Sequence, residues 1–130
     1  MASTTPTVTI FDKIVRKEIP STCVYEDELV YAFRDVSPVA KTHVLIVPKV
    51  RGGLDQLQNA TPDDKPVLGH LLWAAGHVAK LEGLGDGYRV VINDGAKGCQ
   101  SVYHLHLHVI GGEQLTWPPG TAAQAGGAKY

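Results

Sequence analysis

The sequence predicts a single α+β domain, with helices packed on a small antiparallel sheet. Three observations predict it. The hydrophobic periodicities run in the order α-β-β-β-α-β-β, which contains no regular βαβ alternation. The first two strand-like runs are separated only by the acidic turn Glu26-Asp27-Glu28 and read as a hairpin. Residues 104–112, His-Leu-His-Leu-His-Val-Ile-Gly-Gly, alternate with the period of two that belongs to a strand. A length of 130 residues favours one domain, and 44% apolar residues suffice for a core.

Residues 1–8 carry little apolar pattern and are expected to be a frayed tail. Ile10, Ile14 and Val15 recur at helical spacing, which predicts a helix over about 9–17, stopped by Pro20. Phe11 lies off that stripe, toward core or toward a ligand. Residues 23–26 and 29–33 are the hairpin strands, and Asp35 with Pro38 breaks the second. Residues 43–47, from His43 to Val47, form a third strand ended by Pro48. Leu54 and Leu57 suggest a short helical turn. Thr61-Pro62-Asp63-Asp64 is a helix start, with a capping residue, proline at the first position and acids at the positive end of the dipole. The stripe Val67, Leu68, Leu71, Leu72, Ala75, Val78, Ala79 and Leu81 carries that helix to about 82, where Gly83 ends it. His70 and His77 share its outer side and read as exposed surface histidines. Residues 88–93 are the fourth strand, 94–101 a glycine-containing loop, and about 103–110 the fifth strand. Residues 121–130 are small and weakly patterned, an expected flexible tail.

Twelve basic and thirteen acidic residues give a net charge of −1, which argues against duplex nucleic acid or an anionic membrane as partner. No apolar run approaches the ~20 residues of a membrane span. No signal peptide is visible at the N-terminus, so the expected compartment is the cytosol, with passive diffusion into the nucleus. Two cysteines without a CxxC pair, Cys23 and Cys99, do not support a cysteine-rich zinc site.

Half of the six histidines lie in the alternating stretch, as His104, His106 and His108 on one face, opposite Leu105, Leu107 and Val109. Three readings compete. A solvated sheet face usually draws Thr, Lys, Glu or Ser rather than three histidines. A zinc site is limited by geometry, because at the rise of a strand His104 and His108 have Cα atoms ~13 Å apart. Two of the three with His43 or a carboxylate remain workable ligands. Covalent catalysis by imidazole needs a neutral nitrogen whose ring partner donates elsewhere, with neighbours to bind anionic oxygens. The loop 95–101, including Gly98, Cys99 and Gln100, offers backbone N–H donors and the Ser101 hydroxyl to a phosphoryl group. This third reading accounts for the histidines and the loop together.

The run 104–110 is similar to the histidine-triad signature, His-φ-His-φ-His-φ-φ. The longer run 100–112 with Trp117-Pro118-Pro119-Gly120 resembles the HINT branch of that family. So do 10–14 with 17–20, 32–38 and 42–49, so that the resemblance spans about 9–120. It implies a five-stranded antiparallel sheet with one long helix and one short N-terminal helix. It also implies a homodimer joining two such sheets into ten strands. The implied activity is hydrolysis of purine nucleoside phosphoramidates to a nucleoside monophosphate and an amine, with no cofactor and no metal. Carried over by motif, His106 resembles the nucleophile, His108 a phosphate-oxygen ligand, and His104 and His43 members of a hydrogen-bonded relay. Asn93 and Ser101 resemble phosphate and leaving-group contacts, and Asp35 the carboxylate that binds ribose. Phe11, Phe33 and Val36, with Ile14 and Leu45, resemble the base pocket. Trp117 resembles a residue that reaches the leaving-group side across the dimer. His108 as the last triad member favours hydrolysis over nucleotidyl transfer. An interaction module in signalling or transcription, with incidental hydrolysis, is the alternative. The sequence departs from the family pattern at Cys99, commonly Gly, at Arg34, often His, and at Arg51-Gly52-Gly53 after the Pro-Lys step.

Overall fold

The computed structural model describes residues 8–119. The expected tails, apart from Val8, and Gly120 lie outside the described residues. Helix α1 spans Ile10–Val15. Its start is a reciprocal cap, in which Thr9 Oγ1 accepts from the Asp12 N–H at 3.1 Å and the Asp12 carboxylate accepts from the Thr9 N–H at 2.9 Å. It ends earlier than Pro20 requires, because Lys17 takes a left-handed φ of 67°. The N–H groups of Lys17 and Glu18 then reach back to Ile14 and Lys13 and close the helix.

Strands β1 (Cys23–Glu26), β2 (Val30–Arg34), β3 (Thr42–Pro48), β4 (Tyr88–Val91) and β5 (Leu107–Gly111) form one antiparallel sheet in the order β1-β2-β3-β5-β4. Asp27 sets the first hairpin, its Oδ1 accepting from Leu29 N–H at 2.8 Å and Val30 N–H at 3.0 Å. Helix α2 (Lys65–Leu81) follows two 3₁₀ turns, Leu57–Asn59 and Pro62–Asp64. The helix start expected at Thr61 is therefore one 3₁₀ turn early. Gly83, at φ 71°, ends α2 with Leu84 N–H bonded to Ala79.

The two faces of the sheet have different covers. Val30, Ala32, Val44, Ile46, Leu105, Leu107 and Val109 pack against Leu71, Ala74, Ala75, Val78 and Ala79 of α2. On the other face Tyr31, Phe33, Leu45 and Val47 pack against Phe11 and Ile14 of α1. Each fully buried Val, Leu, Ile or Phe side chain among them contributes on the order of 1.5–3 kcal/mol. Alternation thus sends Leu105, Leu107 and Val109, with Val44 and Ile46 of β3, to α2, and the histidines, with Leu45 of β3, to the α1 face.

Two further expectations are corrected. The regular part of the histidine strand begins at Leu107, not at 103. Pro48 ends the opposite strand without an N–H to donate, and its carbonyl accepts from the His104 ring instead. The Leu105 N–H goes to Leu54 O at 3.1 Å, away from the sheet. His70 and His77 are half-buried rather than exposed. His70 Nε2 pairs with Asp27 Oδ2 at 2.6 Å, and Trp73 stacks between the two imidazoles with Tyr25 edge-on to His77. Tyr25 and Asp27 thus bring β1 and its turn over that side of α2.

Candidate active site

Four histidines meet on the α1 face, all of them buried: His43 from β3, His108 from β5, and His104 and His106 from the lead-in to β5. Their hydrogen-bond partners fix their tautomers. A carbonyl only accepts, so His106 Nδ1, 2.7 Å from His104 O, carries the proton. The lone pair of the neutral ring is then on Nε2. The Val39 N–H donates to His43 Nδ1 at 3.2 Å, so His43 is protonated at Nε2. That Nε2–H donates to His108 Nδ1 at 2.8 Å and leaves His108 with its proton on Nε2. His106 Nε2 and His108 Nε2 are buried, and neither has a hydrogen-bond partner among the described residues. One is an electron-pair donor and the other a proton donor, on rings whose centroids are 5.1 Å apart.

Burial is the leading cause that lowers the pKa of every one of these rings, since it penalises imidazolium. His108 is pushed down to about 3, with His106 and His43 adding to the effect. His104 is pushed down to about 4, burial outweighing Pro48 O and Asp12, which favour its charged form. His106 is lowered despite its bond to the His104 carbonyl. All four rings are therefore neutral at pH 7, which keeps the His106 lone pair available.

Asp35 is buried beside the relay, with Oδ1 accepting from Ser37 N–H at 2.7 Å and Oδ2 3.6 Å from His43 Nε2. Its Oδ2 has no hydrogen-bond partner among the described residues and is free to accept from a hydroxyl. Asp35, His43 and His108 bring three potential metal-ligand atoms within 4.8 Å of one another. As arranged here, His43 Nε2 and His108 Nδ1 are engaged with each other rather than set for a zinc ion. Two nitrogens on one tetrahedral zinc stand about 3.3 Å apart with both lone pairs on the metal. Here the two nitrogens are 2.8 Å apart and share a proton.

The apolar residues expected around a base divide. Phe11, Ile14, Phe33 and Leu45 form one buried cluster, with the Phe11 ring edge-on to His106 at 5.0 Å and to Phe33 at 5.6 Å. Leu45 is directly opposite His108 in the β3–β5 ladder. Val36 stays outside the cluster and is 66% exposed.

The loop 95–101 departs from its expected role. The N–H groups of Gly98, Cys99 and Gln100 bond inside the loop, to Gly95 O, Ala96 O and Gly95 O, so they are not open phosphate donors. A 3₁₀ turn at Ala96–Gly98 followed by Cys99 at a left-handed φ of 67° folds the loop onto itself. The Asn93 amide holds it by donating to Gly98 O at 2.8 Å, leaving its oxygen toward other partners. Gln100 is a buried clamp: its amide donates to Asp55 O at 2.7 Å and Val102 O at 3.1 Å, and its oxygen accepts from Gly95 N–H at 2.9 Å. Ser101 is exposed at the loop's end. Trp117 is 83% exposed on a segment anchored by Arg89, which donates to Thr116 O at 2.7 Å. Sequence reasoning missed Thr9, Asp12 and Arg51, which contact the His104 ring or one another.

A family model described as the HIT domain matches residues 16–115. The chain belongs to the HIT family. Among HIT relatives, it is 64% identical over 112 residues to a "14 kDa zinc-binding protein" of Zea mays, covering 86% of this chain and 88% of that one. It is 59% identical over 112 residues to "Adenylylsulfatase HINT1" of Arabidopsis thaliana, covering 86% and 76%. The crystal structure of a HIT family hydrolase from Legionella pneumophila Philadelphia 1 superposes with a TM-score of 0.82 at 46% identity, covering 85% of this chain and 98% of that one. The expected five-stranded HIT sheet is thus the observed fold.

Proposed function

We propose that this HIT protein hydrolyses the P–N bond of purine nucleoside 5′-phosphoramidates through a nucleotidyl-His106 intermediate. The observation that carries the reading is the opposed pair of buried nitrogens, a lone pair on His106 Nε2 and an N–H on His108 Nε2. In the first step the amine nitrogen takes a proton from solution, a bond forms from His106 Nε2 to phosphorus as the P–N bond breaks, and the amine departs; the water of the second step returns that proton to solution. The positive charge that develops on His106 is held at Nδ1–H by the His104 carbonyl. His108 Nε2–H donates to a phosphoryl oxygen as charge accumulates there. Water then attacks phosphorus, the P–Nε2 bond breaks, and the nucleoside monophosphate leaves. Over both steps one water supplies hydroxyl to phosphorus and a proton to the amine.

Asp35 Oδ2 accepts from ribose, and the Phe11, Ile14, Phe33 and Leu45 cluster receives the base, with Val36 at its solvent edge. Asn93 and Ser101 meet the phosphate side. A homodimer joined through sheet edges brings the partner's C-terminal segment, with Trp117, to the leaving group. The Arabidopsis relative's name, adenylylsulfatase, supports hydrolysis of an adenylyl compound, there with sulfate in place of an amine.

Mass spectrometry of protein quenched during turnover of an adenosine phosphoramidate tests the reading. The expected result is a nucleotidyl adduct on His106. His106→Ala is expected to abolish turnover and retain nucleotide binding, and undiminished turnover in that variant would sink the mechanism. An interaction module with incidental hydrolysis predicts instead that partner capture is the same for wild type and His106→Ala.

A further inference from the structure

The nucleophile's orientation depends on groups outside the triad. His106 Nδ1–H is aimed by the His104 carbonyl. The place of that carbonyl follows the His104 ring, which is wedged between two elements. Its Nε2–H donates to Pro48 O at the end of β3, at 3.1 Å, and its Nδ1 accepts from the Thr9 hydroxyl at the head of α1, at 2.9 Å. Thr9 is held in turn by the two cap bonds to Asp12. Asp12 Oδ1 is 3.4 Å from His104 Nδ1, while Asp12 Oδ2 accepts from Arg51 at 3.1 Å.

The Arg51 and Asp12 side chains are only 9% and 14% exposed. A charged pair so far from water needs good geometry to be tolerated. Its charges bear on one question, which nitrogen of His104 carries the proton. An uncompensated carboxylate beside Nδ1 would draw the proton to that nitrogen. Nε2 would then present a lone pair to Pro48 O, and the repulsion would push the ring and its carbonyl off His106. Arg51 offsets Asp12, so the neutral Thr9 hydroxyl is the donor that Nδ1 meets. The charged and titratable groups around the ring are Asp12 on α1, Arg51 on the loop after β3, and His106 on its own segment.

We propose that Thr9, Asp12 and Arg51 are positioning residues for the nucleophile, locking His104 in its Nε2–H tautomer and thereby aiming His106. The proposal rests on the reading of His106 as nucleophile, and one of its two readouts is independent of that reading. The first readout is kinetics of the full chain on an adenosine phosphoramidate. Thr9→Val and Arg51→Met are each expected to lower kcat about ten-fold. KM is expected to move by less than about two-fold, with Thr9→Ser restoring kcat. The second is imidazole nitrogen-15 spectroscopy of histidine-labelled protein. Wild type and Thr9→Ser are expected to show His104 as a single Nε2–H tautomer. Thr9→Val and Arg51→Met are expected to show the Nδ1–H form.

A His104 tautomer unchanged in Thr9→Val and Arg51→Met overturns the proposal, as does a Thr9→Ser variant as slow as Thr9→Val. Should Thr9→Val not fold, Arg51→Met carries both readouts. Wild type without turnover, but with the tautomer change present in the variants, sinks the phosphoramidase reading and leaves the positioning of His104 standing.

Discussion

His43 Nε2 donates to His108 Nδ1 across 2.8 Å, and the Val39 N–H behind it leaves His43 no other tautomer. A backbone amide on the loop before β3 thereby decides which nitrogen of His108 presents a proton to the site. His43→Phe fills the buried space but removes the donor. Its expected effect is a fall in kcat of about 10²-fold, the scale of losing one oriented donor to a phosphoryl oxygen. Steady-state kinetics on an adenosine phosphoramidate check it, and a kcat within two-fold of wild type would reject the relay.

The buried histidines make stability depend on pH. Their unfolded-state pKa is near 6.5. In the fold His104 lies at about 4 and His108 at about 3, with His43 and His106 also lowered, in each case first by burial. Between those values the unfolded chain binds more protons, so their contribution is fully present above about 6.5 and is lost as pH falls toward 4 and 3. Urea unfolding at pH 7 and pH 5 is expected to differ by on the order of 2 kcal/mol for each histidine that stays neutral. Equal stability at the two pH values would contradict the neutral, buried tetrad.

Gln100 lies within the motif stretch, yet its side chain works on the loop rather than on a ligand. Gln100→Ala leaves Gly95 N–H and the carbonyls of Asp55 and Val102 without their partner. The expected cost is about 1–3 kcal/mol, read as a lowered urea midpoint. Nucleoside monophosphate binding, measured by calorimetry, is expected to weaken with it. A variant as stable as wild type would show that the loop closes without the clamp.

Gly112 follows β5 at φ +88°, where a Cβ would stand 3.1 Å from Lys41 Cβ, 3.2 Å from Thr42 Oγ1 and 3.3 Å from Thr42 N. Gly112→Ala combines a left-handed backbone with contact against a strand's main chain. A loss on the order of 1–3 kcal/mol is expected. Thermal unfolding checks it, and an unchanged midpoint would mean that the β3–β5 end yields freely.

Much of this was legible from local patterns. Period two across 104–110 separated the leucines from the histidines, and the helical stripe from Val67 to Leu81 placed α2. Glu26-Asp27-Glu28 marked the hairpin. The failures come from polar groups that find partners local periodicity does not reveal. His104 and His106 bond to carbonyls near the start of β5, so the ladder begins later than alternation suggests. Lys17 closes α1 in a left-handed turn that residue type does not announce. His70 seemed an outward residue on its helix alone, but Asp27 comes from a distant turn. Loop 95–101 looked like a cradle of open N–H groups and instead satisfies its own. Thr9, Asp12 and Arg51 lie 95, 92 and 53 positions before His104, and no spacing within the sequence links them.

The concealment of His106 Nε2 has a consequence for life between turnovers. A neutral imidazole is reactive at every moment toward activated acyl and phosphoryl compounds, which abound wherever metabolism runs. Here that reactivity sits beside the Phe11 ring and out of contact with solvent. If His106 is the nucleophile, its substrate must displace that cover before it meets the lone pair. Discrimination thus begins at admission, before any contact with base or sugar is read, and the idle protein stays chemically quiet.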